Sequence, residues 1–387
     1  MILKSVHICG GIHNNTRKNI KIVNDKIVQI STVGKDVIEY KEGISFPDDV
    51  IIYPGLINSH DHLALNTHPI LKKRTYNDYI EWSKEDFDKE KKEINSIPFE
   101  LRCQWGMLKN VIHGFTTVLQ HDKWSDAITS EMLDVYTKPR IIHSIEFDRK
   151  WKLKALIPYR KKKIIHLAEG KSKKILQEPH ELLKYSLFSK QTILVHGISL
   201  KAKEAKNFGG LIWCPNSNIH LYDETANVIE LKNSLPILFG TDSTVSSDWD
   251  LWKHIKQAKA LELLSDDELY NSLTVTPSNL FGFTSKGIIE ENKLADIVVS
   301  RKKDIDSISS FFKQNNEDIL LIIKSGEIVL FDEIILEDVI SKVSVENFEK
   351  IKIGNSIKYL KFPIQKLVQQ IRDYYPNFEF DSYFTIH

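Results

Sequence analysis

Apolar runs of three to five residues alternate with amphipathic stretches through the middle of the chain, from about Pro54 to Phe283. Repeated strand and helix patterns of this kind predict βα units and a parallel sheet or barrel. A capping box that begins at Ser265 predicts the start of a late helix. The predicted strands of this middle region are 55–57, 116–119, 140–143, 163–166, 191–195, 210–213 and 235–239.

Both ends of the chain are rich in short β-branched runs. Residues 20–23 and 26–30 flank Asn24-Asp25, which predicts a β-hairpin. Near the other end, 295–299 and 320–323 are apolar, and 328–330 follows a Ser-Gly turn. Two β-rich ends around a mixed middle predict that the ends fold together as one small β domain.

The last 45 or so residues have a different pattern. Ile364, Leu367, Val368 and Ile371 recur at helical spacing after Pro363. They predict one amphipathic helix in a C-terminal extension, 341–387. We expect this helix to dock on the barrel or on a second copy of the chain.

Length and charge limit the class of protein. With 387 residues, the chain fits one large α/β barrel plus an accessory domain, or two ordinary domains. Lys and Arg number 53 against 52 for Asp and Glu, so no bulk charge favours nucleic acid or anionic membrane. Three scattered cysteines predict a reducing cytoplasm and no disulfide framework or cysteine-based zinc site. We find no signal-peptide pattern at the N-terminus and no apolar stretch long enough to span a membrane.

The first candidate for chemistry is His60-Asp61-His62, which follows a predicted strand. Residues two apart in a strand face the same side, so both imidazoles can address one metal ion. The carboxyl ends of strands are also where barrel active sites lie. Taken alone, the pair is weak evidence, because short motifs recur by accident, and two partly exposed histidines at a strand end are the more common interpretation.

Three further strands end in residues that bind metals or protons. His166 and Glu169 follow one strand, His196 ends another, and Asp242 follows a third. Each histidine taken singly is compatible with a buried core position. Four strand ends that all carry such side chains instead predict a metal centre at the carboxyl edge of the strands.

The segment 53–62, Tyr-Pro-Gly-Leu-Ile-Asn-Ser-His-Asp-His, resembles the opening metal motif of the amidohydrolase superfamily. The spacing of the later strand-end residues is similar to its cytosine deaminase and chlorohydrolase branch. Gly-Phe-Thr-Thr at 114–117, Cys-Pro-Asn-Ser-Asn at 214–218 and the stretch 287–298 also match. The resemblance covers about 1–335. It implies a TIM-type (β/α)8 barrel over 55–284 and a β-sandwich made of 1–54 and 285–340.

The resemblance also implies roles for individual residues. His60, His62, His166 and Asp242 would hold one divalent ion, Zn2+ or alternatively Fe2+, because nitrogen and carboxylate ligands suit both. Asp242 and Glu169 would move protons, and His196 would hydrogen-bond the attacking water. No strand-end lysine suggests a bridge to a second ion, so we expect a mononuclear site.

Two places depart from the family pattern. Between His143 and His166 the chain is short, so we expect a fourth strand and its helix squeezed into 150–162, with an irregular barrel there. Asp61 replaces a common Thr. Strand alternation points it away from the metal, so we expect it to support the ligands or the fold.

For other residues near strand ends, two interpretations remain open, contact with the substrate or ordinary packing. His121, Asp122 and His143 line the pocket or pack in the core, and Trp124 or Trp249 stacks on a flat ring or is ordinary core. We expect Ser217 and Asn218 to brace their loop and at least one of Asp248 and Asp250 to cap a helix. The basic run 160–163 is expected to be a solvated face.

Three hypotheses for function remain. The first is hydrolytic deamination of a small heterocycle, such as a purine, pyrimidine, pterin or triazine. The second is a hydrolase that expels another group or opens a cyclic amide. Glu169 favours the first, because heteroaromatic substitution requires protonation of a ring nitrogen. The third is a catalytically silent barrel used for binding or assembly, which the complete set of candidate ligands argues against.

Overall fold

The structure is a computed structural model that describes residues 1–10, 16–35, 40, 42–122, 124–125, 131–158, 160–379 and 384–386. The N-terminal segment forms four strands, β1 (Ile2–Ile8), β2 (Arg17–Val23), β3 (Lys26–Thr32) and β4 (Val50–Pro54). Strands β2 and β3 pair antiparallel, with Val23 opposite Lys26. The predicted hairpin is therefore confirmed, and Asn24 makes its turn with φ of 53°.

The middle of the chain alternates strands with helices, as predicted. Its strands are β5 (Leu56–Asp61), β6 (Phe115–Gln120), β7 (Asp134–Tyr136), β8 (Arg140–Ile142), β9 (Lys163–Leu167), β10 (Thr192–His196), β11 (Gly210–Trp213) and β12 (Ile237–Phe239). Its helices are α1 (Tyr79–Trp82), α2 (Asp88–Ile94), α3 (Phe99–Ile112), α4 (Trp151–Leu156), α5 (Glu178–Tyr185), α6 (Ala202–Ala205), α7 (Pro215–Tyr222), α8 (Val228–Leu231), α9 (Leu251–Ala260), α10 (Asp266–Ser272) and α11 (Val275–Phe281). The capping box is confirmed, because Ser265 accepts the Glu268 N–H at the start of α10.

The C-terminal segment returns to β structure. It contains β13 (Ile297–Arg301), α12 (Ser307–Phe312), β14 (Ile319–Lys324), β15 (Glu327–Asp332), α13 (Leu336–Val339), β16 (Glu349–Ile353), β17 (Ser356–Leu360), α14 (Ile364–Arg372) and β18 (Phe384–Ile386). Helix α14 is the predicted amphipathic helix. Its apolar residues Ile364, Leu367, Val368 and Ile371 are buried, and it packs against α3.

Strands from both ends of the chain join in one ten-stranded sheet, in the order β18-β16-β17-β15-β14-β13-β4-β1-β2-β3. The expected pairing of the two chain ends is seen in this one continuous hydrogen-bonded order, and the β-sandwich stays a prediction. Strands β16 to β18 carry this sheet past residue 340, where the sequence pattern predicted a helix alone. Its interior is aliphatic, with Ile20, Ile52, Leu321 and Ile323 almost completely buried.

The strands of the middle region form two parallel sheets, one of β5-β6-β7 and one of β12-β11-β10-β9-β8. The sheets meet where β5 adjoins β12, because the N–H groups of Thr241 and Asp242 donate to the His60 carbonyl at 3.1 and 3.0 Å. All seven predicted strands are present. Strand β7 was missed because three residues are too few to give a recognisable period.

The predicted barrel region has an irregular stretch, as expected, but this stretch does not lie at 150–162. Helix α4 occupies 151–156, and the described part of 150–162 contains no strand, so the fourth strand placed there is wrong. Instead, β7 and β8 are separated by only three residues, 137–139. Parallel neighbours need a crossover of a dozen or more residues, so β7 and β8 are two parts of one extended segment. Its first part pairs with β6 and its second part with β9, with no helix between them.

The basic run 160–163 is divided by the fold. Residues 160 and 161 are exposed, as expected for a solvated face. Lys163 is buried in β9 and donates to the Ala155 carbonyl, so it is part of the interior. Within the described ranges, none of the helices combines the length and apolar character needed to cross a bilayer.

Candidate metal and active site

The strand-end residues singled out from the sequence come together in one buried cluster. His60 is the penultimate residue of β5, His62 follows that strand, His166 lies in β9, His196 ends β10 and Asp242 follows β12. Each of these five residues is at most 6% exposed. Because all these strands are parallel, their carboxyl ends lie at the same edge and present the side chains to one point.

The distances within the cluster fit a shared ion. The Nε2 atom of His166 lies 3.2 Å from that of His60 and 3.3 Å from that of His62. The Asp242 Oδ1 atom is 3.9 and 4.0 Å from the same two histidines. Ligands about 2.0–2.2 Å from a tetrahedral zinc lie about 3.3–3.6 Å apart. Within the described residues, two groups of three ligand atoms lie within 4.8 Å of one another and could hold a metal ion: His60, His62 and Asp242, and His60, His166 and His196.

Two of the histidines are oriented by partners on their far nitrogens. The His62 Nδ1–H donates to Asp122 Oδ2 at 2.9 Å, and the His166 Nδ1–H donates to the His143 carbonyl at 2.7 Å. In both cases Nδ1 carries a proton, so Nε2 is the ring nitrogen that faces the cluster. Asp122, for which the sequence left pocket lining and core packing open, thus lies in contact with a candidate ligand.

The electrostatics of the cluster favour metal binding over protonation at most positions. Burial holds the pKa values of His60 and His166 well below their usual range. Burial also opposes the charged form of His62, but the Asp122 carboxylate outweighs it and raises the pKa of His62 to about 9. A divalent ion at its Nε2 would displace the proton described by that pKa.

Asp242 is held in place by both its backbone and its carboxylate. Its φ of 59° is left-handed, a conformation that costs a non-glycine residue free energy and is concentrated at functional sites. The Ser243 N–H donates to its Oδ1 at 2.8 Å. Burial would raise the pKa of Asp242, but the imidazoles of His62, His196 and His60 hold it below its usual range. The carboxylate is therefore ionised and available as a ligand.

Glu169 and His196 face each other beside the cluster. The Glu169 Oε2 atom is 3.6 Å from His196 Nε2, and its Oε1 accepts the hydroxyl hydrogen of Tyr222 at 2.7 Å. Burial raises the pKa of Glu169, and His196 and Tyr222 offset part of that rise. The His196 Nδ1–H donates to Asn218 Oδ1 at 2.8 Å, so Asn218 orients a site residue.

A cavity of about 670 Å³ opens over these groups. Its floor includes His62, His166, Glu169, His196 and Asp242. Its walls are rich in aromatic rings contributed mainly by the segment between β5 and α3, which sequence analysis did not identify as part of the site. The aromatic residues of the wall are Tyr79, Trp82, Phe87, Phe99 and Phe147.

The structure separates the remaining candidates. His143 and Asp122 line the cavity. His121 is buried against His166, with ring centroids 4.1 Å apart, and its ring nitrogens have no hydrogen-bond partner among the described residues. Trp249 stacks on Trp105 and lines a second cavity, of about 430 Å³.

Trp124 packs against the core, so neither tryptophan singled out for ring stacking is among the described residues around the main cavity. Asp250 caps α9 by accepting the Trp252 N–H at 2.9 Å, which confirms the capping prediction. Asp61 points away from the cluster into a polar network beneath it.

Comparisons with known proteins agree with this geometry. The amidohydrolase family model matches residues 152–329. A 5-methylthioadenosine/S-adenosylhomocysteine deaminase of Pyrococcus furiosus is 21% identical, over 86% of this chain and 95% of its own. An adenosine deaminase from Xanthomonas campestris, solved with bound zinc, has a TM-score of 0.70 at 14% identity and covers 97% of this chain and 98% of its own.

A mutant of atrazine chlorohydrolase from Arthrobacter aurescens, solved with zinc and atraton, has a TM-score of 0.58 at 14% identity. The match covers 85% of this chain and 94% of that one. At these identities the two crystal structures establish a shared fold. The family match and the deaminase relative, together with the His/Asp cluster, support a hydrolase that acts on carbon–nitrogen bonds. The chain is therefore similar to the amidohydrolase family over residues 152–329, a little under half of its length.

Proposed function

We propose that this protein is a metal-dependent aminohydrolase that removes ammonia from a small heterocycle. The observation that carries the proposal is the position of Glu169, a buried carboxyl on the floor of the cavity. It lies 3.6 Å from His196, beside two overlapping groups of three side chains that could each hold a metal ion. A proton carrier next to a metal-type ligand set is what hydrolytic deamination requires.

The ligands in this proposal are His60, His62, His166 and Asp242. We favour Zn2+ over Fe2+, because the spacing suits a small tetrahedral ion and because two relatives of the same fold contain zinc. Such an ion would lower the pKa of a bound water toward neutrality. We also infer that the two parallel sheets form the wall of one barrel, with these ligands at its carboxyl end.

Glu169 and His196 then perform the proton chemistry. Glu169 accepts the proton that the attacking water loses and delivers it to a ring nitrogen of the substrate. As the new carbon–oxygen bond forms, His196 donates a hydrogen bond to the oxygen on which negative charge develops. Glu169 next takes the remaining hydroxyl proton of the added water and passes it to the exocyclic nitrogen. The carbon–oxygen double bond then forms as the carbon–nitrogen bond breaks and ammonia leaves. Asp242 is a second acceptor for the proton of the water.

The cavity indicates the size of the substrate. A volume of about 670 Å³ lies in the range used for drug-sized ligands and exceeds what a bare ring needs. The aromatic wall begins beyond the floor, so it is placed to contact a substituent. We therefore propose a flat heterocycle with an apolar substituent, which packs against Phe147 and the other aromatic residues of the wall.

A second candidate is expulsion of a group other than ammonia, or hydrolysis of a cyclic amide. The chlorohydrolase among the structures of the same fold favours it, because its name describes loss of chloride. Both reactions place water on an activated ring carbon, so the same site residues serve either one. A catalytically silent role is the third candidate, and the full ligand set with Glu169 argues against it.

The test is metal analysis followed by an assay of ammonia release. The panel contains adenosine, 5-methylthioadenosine, cytosine, a pterin and an aminotriazine, each given to the wild type, the chelated protein and Glu169→Gln. Glu178→Gln is a matched control, because Glu178 is an equally buried carboxyl that is not among the residues lining the cavity.

We expect about one metal ion per chain. Ammonia release should be lost after chelation and in Glu169→Gln, and kept in Glu178→Gln. Metal without ammonia, but with loss of another group, would move the assignment to the second candidate. Failure to bind zinc or iron at all would contradict the proposed function.

A further inference from the structure

A lysine with no exposed surface lies directly beneath the candidate metal site. Lys109, in the last turn of α3, is 0% exposed. Its ammonium contacts Asp61 Oδ2 at 3.1 Å, donates to Asn66 Oδ1 at 2.6 Å and donates to the Asp242 carbonyl at 3.2 Å. An ammonium has three N–H donors, so each donor has one acceptor.

All three acceptors belong to the segments that carry the candidate ligands. Asp61 lies between His60 and His62, and Asn66 follows them in the same loop. The third acceptor is the backbone of Asp242 itself. Asn66 Oδ1 also accepts the Thr244 N–H at 3.1 Å. Lys109 therefore ties the loop after β5 to the turn after β12, where the two parallel sheets meet.

Asp61 keeps this buried ammonium charged. It is also 0% exposed, and its carboxylate accepts further hydrogen bonds from Asn110 at 2.8 Å and from Asn66 at 3.0 Å. A buried ion pair persists only when both charges are compensated and hydrogen-bonded, and all of these contacts do so. Asp61, which departs from the family pattern, thus has a physical reason: it is the counter-ion of Lys109.

We propose that Lys109 is a positioning residue for the metal site. It fixes the left-handed backbone of Asp242 relative to the His60-Asp61-His62 segment, and so sets the distance between the carboxylate ligand and two of the imidazoles. This inference rests on the proposed function, because it takes His60, His62 and Asp242 as ligands. Lys109 lies below the ligands, on the side away from the cavity, and acts through them.

The ten-stranded sheet provides a matched control. Lys358 is also 0% exposed, and its ammonium donates to the carbonyls of Glu317 and Ile319 at 3.0 and 2.6 Å. It pairs with buried Asp332 at 2.9 Å. Lys109→Met and Lys358→Met therefore remove the same kind of group from the same kind of environment, one beneath the site and one away from it.

The test measures the dissociation constants of Zn2+ and Co2+ and the visible absorption of the Co2+-loaded proteins. Folding is followed in parallel by denaturant unfolding. We expect both variants to lose stability. Lys109→Met should also bind metal about tenfold to a hundredfold more weakly and show a changed Co2+ spectrum. Lys358→Met should keep the affinity and spectrum of the wild type.

Two double variants separate positioning from charge compensation. Asp61→Asn with Lys109→Met removes both buried charges, as does Asp332→Asn with Lys358→Met. We expect each pair to recover stability relative to its lysine variant, because no charge is left unpaired. Metal affinity should stay low only in the first pair, because the Asp242 carbonyl still lacks its donor. If this pair instead restored wild-type affinity, Lys109 would be only a counter-ion and the proposal would be overturned.

The outcomes distinguish this inference from the proposed function. A wild type that binds neither Zn2+ nor Co2+ would contradict the function and the inference together. A wild type that binds both ions, with unchanged affinity and Co2+ spectrum in Lys109→Met, would overturn the inference alone. If Lys109→Met does not fold, the first double variant provides the same comparison.

Discussion

The carboxyl edge of the parallel strands and the ten-stranded sheet are equally buried but filled with opposite chemistry. In the sheet, Ile322, Leu330 and Phe331 are almost completely buried, and each Å² of such apolar surface stabilises the fold by about 25 cal/mol. At the strand edge, burial acts on imidazoles and carboxylates, where it shifts pKa values and opposes charge. Burial of apolar side chains in the sheet therefore stabilises the fold, whereas burial of ionisable side chains at the strand edge lowers its stability and changes their pKa values.

The largest expected effect is loss of a candidate ligand. His166→Ala should reduce kcat/KM about a thousandfold or more, because the ion and its activated water depend on that imidazole. The unfolding free energy of the metal-free protein should change by only about 1 kcal/mol, since a lost buried polar group offsets the lost packing. Metal analysis, kinetics and denaturant unfolding check this. A loss of several kcal/mol would show that the edge also carries stability, against the comparison.

The converse change is made in the sheet. Leu330→Ala should reduce the free energy of unfolding by about 2–5 kcal/mol, because Leu330 is fully buried and leaves a cavity. The activity of the folded molecules should stay unchanged. Val28→Ala, at a 41% exposed position on edge strand β3, is the control and should change stability by less than about 0.5 kcal/mol. Altered activity in folded Leu330→Ala would mean that the two regions are coupled.

A smaller effect is expected for Glu178, which lies behind the site. Burial raises the pKa of Glu178 to about 7 in the folded protein, while its Oε1 accepts from the Tyr79 hydroxyl and its Oε2 from the Ala168 N–H. Because the folded state holds the proton more tightly, its contribution to stability is full below about pH 4.5 and is lost as pH rises through 7.

Glu178→Gln removes this titration and keeps the shape of the side chain. Between pH 5 and pH 8 the wild type should lose about 2 kcal/mol of unfolding free energy that the variant keeps. Denaturant unfolding at both pH values measures the difference. Parallel pH dependence in the two proteins would indicate that burial at this position does not perturb the carboxyl.

The smallest effects concern substrate contact. Phe147 is 44% exposed and lines the main cavity, so Phe147→Ala should raise KM about tenfold with little change in kcat, as expected for loss of uniform binding. Trp249 lines the second cavity, so Trp249→Phe should change KM less than about twofold. Steady-state kinetics on the best substrate of the panel distinguishes them. A larger effect in Trp249→Phe would place substrate recognition at the second cavity.

Sequence analysis succeeded where the signal is local. The seven predicted strands were continuous apolar runs, and His60, His166 and His196 were identified because each stands at the end of one. The position of Asp242 followed from the same rule. These residues meet because parallel strands share an edge, and this property of the fold needs no knowledge of side-chain contacts.

Features that depend on contacts between residues far apart in the chain could not be predicted from the sequence. Tyr222 and Glu169 are 53 positions apart in the sequence, and Lys109 and Asp242 are 133 positions apart. The local sequence around either residue therefore does not predict its hydrogen-bond partner. The aromatic wall comes from a segment whose packing no periodicity describes. The short segment between His143 and His166 predicted a break in the βα alternation. The predicted position was wrong, because β7 is too short to be recognised from the sequence.

The hydrogen bond from Asn58 to Thr241, at 2.7 Å, joins residues 183 positions apart, at the meeting of the first and last parallel strands. The histidine pair at 60 and 62 is synthesised early, whereas the proposed carboxylate ligand Asp242 is synthesised only after all of β6 to β12. Closing so long a loop is slow compared with forming local structure. If the proposed ligands hold an ion, their set is complete only after the first and last parallel strands have met, so metal binding would follow folding of the strands between them.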